Sequence, residues 1–497
     1  MRGINYSDQT QDGDLRDSLN LSARRYPYMT TRRARVKQKK TEDAYYTGAT
    51  ALTAWGKLVA VEGTDLLYDG EVVGQVTEGE KQFAVVNTKM VIWPDKKYLD
   101  MNSRQVKPLG AEITGRKATF TTNSMKVSGW EDLTTLFNAG DGITISGCTT
   151  NKDNNKDIVI KSVTADTITV TANTFTEATE TSTAIKLERK IPDMDFICES
   201  ENRLWGCSSD EQTIYASAMG DPTNFYVYEG LSTDSYALAV GTEGAFTGCC
   251  KLTSSVLFWK ETKLHKMLGG YPAEYSLYTY DIEGLQAGCH KSMQVINEVL
   301  FYMGLHGVYA YSGGTPSLIS SNFGDNAFTN AVGGNDGDSY FLSVQDGAEH
   351  HLFVYETLSG IWVLEDDTDV VDFARIGKDL YFLASDGTVW LEDGRQDDPN
   401  IQWMAQFAPF YETIEGRKRY SRMLLRLELP DGSYMSAEVR CDGGRWKECG
   451  KIVGGKCDVI PLRIAVNRCD KFEIRLKGKG PCTILSMLRE FRVGSDV

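Results

Sequence analysis

The chain has 497 residues, 41% of them hydrophobic and 24% charged, a balance expected of a soluble globular protein with two to four domains. Its net charge of −15 is unevenly placed: residues 1–40 hold ten Lys/Arg against four Asp, which leaves −21 on the rest. The acidic body argues against general nucleic-acid affinity, the lack of an eighteen-residue apolar run against a membrane span, and the polar opening Met1-Arg-Gly-Ile-Asn against a secretion signal. The protein is therefore expected to be made and kept in the cytoplasm, unless a larger particle carries it out.

Residues 1–22 are polar and aperiodic and read as an extended arm. Arg24, Arg25, Tyr26, Tyr28, Arg32, Arg33 and Arg35 follow, aromatic rings set among guanidinium groups that suit carboxylate or phosphate partners. These seven residues are the partner-docking candidates, and the other reading is a local strand with solvated arginines. On the docking reading, reversing Arg24, Arg25, Arg32 and Arg33 to Glu leaves the monomer folded and blocks assembly.

Between 53 and 101 short alternating runs are split by Gly63-Thr64, Asp69-Gly70, Gly79-Glu80 and Pro94-Asp95, the punctuation of an all-β sandwich, barrel or propeller. From 102 to 190 Thr and Asn rise and aromatic residues thin out, which predicts a small independent β-barrel inserted in the larger body. Its polar loop, Asn151, Lys152, Asp153, Asn154, Asn155 and Lys156, has no apolar anchor. It either faces a lumen or partner or is a plain surface turn.

From 194 to 403 hairpins recur: 203–217, 255–268, 298–312, 352–364 and 379–391. Starts at 255, 298, 339 and 379 keep the forty-residue beat of a four-stranded propeller blade, and about six blades are predicted, with five to seven allowed. Beyond 402 new strands open, and Leu425, Leu427 and Leu429 alternate with Leu424, Arg426 and Glu428 as a half-buried sheet face.

Signals for chemistry are sparse. The five histidines are scattered over different hairpins, and no Gly-x-Ser-x-Gly, His-Glu-x-x-His or P-loop motif occurs. Residues 365–369, EDDTD, read as a solvated acidic turn, with Ca²⁺ binding the sharper alternative. Eleven cysteines without a Cys-x-x-Cys pair read as buried thiols rather than a disulfide or zinc framework. No catalytic residue, metal or cofactor is expected.

Three stretches carry a family resemblance. Residues 202–225 match N-R-L…I-Y-x-S-x-x-G-D-x-x-N-F, and 20–32 match N-x-S-x-x-x-Y-P-Y-x-x-x-R. Residues 470–491 match D-x-F-x-x-R-L-x-G-x-G-x-x-x-I-x-x-x-x-x-E-Y, with Phe491 in place of Tyr. Together these resemble tail-hub and nozzle proteins of short-tailed bacteriophages. The resemblance implies a non-enzymatic virion tail protein, assembled in the host bacterial cytoplasm. It would form a ring with itself, typically a hexamer, below a portal-adaptor protein, extend and gate the DNA channel for transient passage of double-stranded DNA, and anchor fibres or spikes. The alternative class is a receptor-binding or glycan-binding and depolymerising virion protein; a cytosolic propeller scaffold is a third. The expected fold is all-β: an arm at 1–45, first propeller blade or blades at 46–101, a barrel at 102–192, the remaining blades at 193–402 and a jelly-roll-like sandwich at 403–497.

Overall fold

The computed structural model describes residues 2–7, 9–411, 416–455, 459–464, 466 and 468–493. Among these the secondary structure is β, and the helical turns are five 3-10 turns of three residues each. The chain falls into two compact units, residues 1–63, 68–71 and 288–497 in one, and 64–67 and 72–287 in the other.

Seven four-stranded antiparallel sheets form the blades of a β-propeller. Blade 1 runs through Ala49–Ala54, Leu58–Glu62, Asp65–Tyr68 and Glu71–Gln75, and blade 2 through Gln82–Val86, Lys89–Trp93, Lys97–Asp100 and Gln105–Pro108. Blade 3 opens at Phe196–Ser200, blade 4 at Gly248–Leu252, blade 5 at Gln294–Ile296 and blade 6 at Thr329–Asn335. Blade 7 joins Val370–Ile376, Asp379–Ala384 and Val389–Leu391 to an outer strand from the chain start, Val36–Lys37. Central strands such as Arg203–Ser208 and Ser255–Trp259 are buried on both faces, whereas the outer strand Ser276–Asp281 is mostly exposed. Continuous apolar runs therefore mark the middle of a blade.

The count is seven where about six were predicted, because the segment counted as one early blade holds two. Its strands are four to six residues long and its turns are tight, as at Asp69-Gly70, where both residues have positive φ. A side chain at Gly70 would also run into the Lys40 carbonyl.

The insert is a seven-stranded sheet wrapped around one core that includes Ile113, Phe120, Phe137, Ile145, Ile185 and Leu187. Arg189 at its exit forms a buried ion pair with Asp141 inside the insert at 2.6 Å and ties exit to entry by donating to the Leu109 carbonyl. Asn224 accepts from the Gly142 amide at 3.1 Å and donates to Asp141 at 3.2 Å, and Gly142 has no room for a Cβ against the Tyr226 carbonyl. The Gly-Asp-Gly of the insert and the Asp-x-x-Asn between the third and fourth strands of blade 3 are thus two halves of one joint.

The C-terminal region, expected as a jelly-roll-like sandwich at 403–497, is a curled ten-stranded sheet that also takes strands from the start of the chain. Asp14–Leu19 pairs with Gln402–Phe407, and Met29–Thr31 pairs with Thr483–Val493. The 24-residue strand Lys418–Cys441 pairs with Val459–Arg463 and Thr483–Val493 along its first half and with Phe472–Lys479 along its second. The expected N-terminal arm is therefore built into the fold, since Ile4, Leu15, Leu21 and Met29 are buried. Their apolar side chains gain more from burial than the polar residues between them lose.

Candidate functional site

The arginine-rich segment lies against the fourth strand of blade 6 and the third strand of blade 7. Ile361–Asp366 ends in Leu364-Glu365-Asp366, and the same triplet, Leu391-Glu392-Asp393, begins at the last residue of Val389–Leu391. The four carboxylates converge on the segment. Arg35 meets Asp366 and Glu392 at 2.7 Å each and Glu365 at 3.5 Å, with its guanidinium 5.0 Å from the Phe382 ring centre. Arg32 reaches Glu365 at 3.4 Å and Asp366 at 3.8 Å, and it donates to the Asn20 side chain at 2.7 Å. Arg24 pairs with Asp336, Glu356 and Asp393, and Arg33 pairs with Asp393 at 3.2 Å.

Burial decides the electrostatics. Arg35, Glu365 and Glu392 have side chains at most 9% exposed, so their charges see little water. Burial works against the Arg35 charge, but Glu392, Glu365 and Asp366 outweigh it and raise its pKa above the ordinary value. Burial, then the nearby Glu392, pushes the Glu365 carboxyl well above the usual carboxylate range, against the pull of Arg35 and Arg32. For Asp366 burial pushes up, yet Arg35 and the Thr368 hydrogen bonds hold it below its ordinary value. The cluster therefore holds a carboxyl poised to take a proton beside one kept ionised.

Four of the seven docking candidates, Arg24, Arg32, Arg33 and Arg35, thus meet carboxylates of their own chain. A reversal that includes Arg32 would strike this internal clasp and not only an outer surface. Arg25, Tyr26 and Tyr28 remain outward: Tyr26 is 54% and Tyr28 41% exposed, on a tip closed by hydrogen bonds from Tyr26 N to Ala23 O and from Tyr28 N to Arg25 O, both 2.9 Å. A cavity of 510 Å³ beside the clasp is lined by Arg25, Arg32, Glu365, Asp397 and Glu428 among others, so its wall carries both signs of charge. The clasp carboxylates were missed because EDDTD reads as a solvated turn. The repeated Leu-Glu-Asp triplet was the available signal.

The 151–156 loop is held by polar bonds in place of apolar anchors. Glu180 accepts from the backbone amides of Thr149, Thr150 and Asn151. Burial would raise its pKa, but these bonds dominate and lower it to about 2. Asn154 is fully buried and exchanges hydrogen bonds with the Thr176 backbone at 2.9 and 3.0 Å, Asn155 exchanges bonds with the Cys148 backbone, and Lys156 donates to the Thr174 carbonyl. Asn151 caps the 3-10 turn, and Lys152 and Asp153 project outward. Asn154→Ala is expected to destabilise the insert by about 1–3 kcal/mol. Lys152→Ala and Asp153→Ala should stay within about 0.5 kcal/mol of the parent, as read by denaturant unfolding.

The remaining candidate chemistry is dispersed. His265 lies buried between Thr242 and Thr279 at 2.9 and 2.8 Å, and burial, helped by Lys260 and Lys263, lowers its pKa to about 4, so it is neutral at pH 7. Cys148, Cys207, Cys249, Cys289, Cys469 and Cys482 are buried, Cys198, Cys250, Cys441 and Cys449 are partly buried, and Cys457 lies outside the described residues. Among the described residues no group of three or more His, Cys, Asp or Glu is placed to hold a metal ion, and no helix is long and apolar enough to cross a membrane.

No family model matches the chain, and no curated protein matches it. Solved structures show partial likeness. An exo-beta-1,3-galactanase from Phanerochaete chrysosporium with galactose is 8% identical and covers 57% of this chain and 92% of its own, with a TM-score of 0.22. Hsv2 of Kluyveromyces lactis is 15% identical, covering 40% of this chain and 60% of its own, with a TM-score of 0.28. BBS1N in complex with ARL6DN is 10% identical, covering 73% and 97%, with a TM-score of 0.31. At these values the similarities leave the function of this chain open.

Proposed function

We propose that this chain is a structural protein of a bacteriophage tail, of the hub or nozzle kind. Copies form a ring, typically hexameric, that lies below a portal-adaptor protein, extends and gates the DNA channel and anchors fibres or spikes. The work in this reading is mechanical: ring contacts hold a narrow gate, and a signal from receptor-bound fibres shifts its conformational balance. One observation carries the reading: each stretch that bears the resemblance is a junction of the fold. Residues 20–32 carry Arg24 and Arg32 into the arginine clasp, 202–225 hold the buried Arg203 and the Asn224 that bonds Asp141, and 470–491 supply most of two strands of the terminal sheet. An acidic blade surface also suits a wall along which a phosphate backbone slides without sticking.

Electron microscopy of the purified protein should show open rings, and a strict monomer at high concentration, with or without adaptor, sinks the proposal. Arg25→Glu combined with Tyr26→Ser and Tyr28→Ser should leave the fold intact and reduce incorporation into particles. Unchanged particle yield would remove the docking role of the tip.

A further inference from the structure

The pleat of the terminal sheet sets an apolar face against a charged one. On Phe472–Lys479, Phe472, Ile474 and Leu476 are buried and Arg475, Lys477 and Lys479 take the other face. On the neighbouring strand Met435, Ala437 and Val439 are buried, and Tyr434, Glu438 and Arg440 share the face of Arg475 and Lys477. This outer face is layered. Glu438 accepts from Arg475 and pairs with Lys477, and Glu473 pairs with Arg440. Trp446 lies over both guanidiniums, its ring centre 4.6 Å from Arg440 and 4.4 Å from Arg475, and the Lys451 ammonium sits 4.0 Å from the Tyr434 ring centre. Arg440, Arg475, Lys451, Lys477 and Lys479 outnumber Glu438, Glu473 and Glu448, and Lys451 and Lys477 are exposed. Arg440 Nε and Glu473 Oε1 are buried here without a hydrogen bond.

The charge of the chain is segregated in the same way. Residues 403–497 hold 18 Lys/Arg against 12 Asp/Glu, and residues 41–402 hold 25 against 52. Within the chain the clasp already joins a basic segment to acidic strand ends. We infer that the basic, aromatic face around Trp446 docks on the acidic propeller surface of a second copy of this chain. Such a contact joins two different patches and is therefore head-to-tail, and repeated it closes a ring or runs on as a filament. The inference rests on the ring reading above and names the surface that builds it.

The test compares the full-length protein with Lys451→Glu/Lys477→Glu by sedimentation velocity, at about 50 mM and about 500 mM salt. The parent should associate at low salt and dissociate toward monomer at high salt, and the doubly reversed variant, with an unchanged circular dichroism spectrum, should associate about 100-fold more weakly. Lys451→Arg/Lys477→Arg should retain association. If the reversed variant assembles as the parent does, the inference fails and the ring reading stands. If the parent is monomeric at every concentration, both fail. A duplex DNA probe whose mobility shift disappears in the reversed variant, with self-association intact, would assign the face to nucleic acid and overturn the inference.

Discussion

Arg35→Met should destabilise the unit that carries it by about 3–5 kcal/mol at pH 7, the cost of leaving buried carboxylates without their cation. The substitution keeps an unbranched side chain and removes the charged fork, which faces Glu365, Asp366 and Glu392 and lies 5.0 Å from the Phe382 ring centre. The defect should shrink as the pH falls. In the folded state the Glu365 pKa lies well above its ordinary value, so the folded chain holds a proton that the unfolded chain has released. Between those two values the folded state binds more protons, and this group therefore favours folding increasingly as pH falls. Without Arg35 that upward shift grows, so variant and parent should converge on moving from pH 7 toward the ordinary carboxylate range. Below that range Asp366 acts in the opposite sense: its lowered pKa means that its contribution is lost as it takes a proton. Urea unfolding followed by near-ultraviolet circular dichroism reads both effects. Equal midpoints for variant and parent at pH 7 would show that the clasp adds no stability.

Arg203→Met should cost about 3 kcal/mol or more, through orphaned carbonyls. Arg203 is fully buried at the start of the central strand of blade 3 and donates to the carbonyls of Ser217, Ser232 and Asp234. Burial lowers its pKa, and the nearby Tyr275 and Asp234 offset that cost only in part. It is thus a structural fork that organises the loop from 218 to 235, and that loop carries Asp221 and Asn224 to the joint with the insert. Loss of the fork should speed proteolysis in this loop before global unfolding. Arg203→Lys should recover only part of the loss, because one ammonium cannot reproduce the planar spread of donors. Protease resistance equal to the parent would refute this role.

Local pattern was sufficient for much of the fold. One hairpin in each of blades 3 to 7, the strands at Lys89–Trp93 and Lys97–Asp100 and the change of composition at the insert all follow from alternation and turn chemistry between near neighbours. The outer strand Val36–Lys37 could not be read this way, because two residues in a basic run carry no periodicity and gain their pairing from Trp390 and Leu391, some 350 positions away. The same holds for Asp14–Leu19, whose polar residues hide a strand completed by Gln402–Phe407. The site divides likewise. That the arginines would meet carboxylates or phosphates was legible from their chemistry. That four of them meet Glu365, Asp366, Glu392 and Asp393 within the chain was not.

The amino-acid order alone determined the all-β class, the repeating blade unit, the inserted module and the separation of a basic chain start from an acidic body, since each depends on residues close in sequence. Tertiary structure decided the seventh blade, the merging of both chain ends into one sheet, and which arginines point inward. Those outcomes turn on pairings between segments hundreds of residues apart, where burial sets the strength of a charge and a strand's partner, not its composition, settles its place.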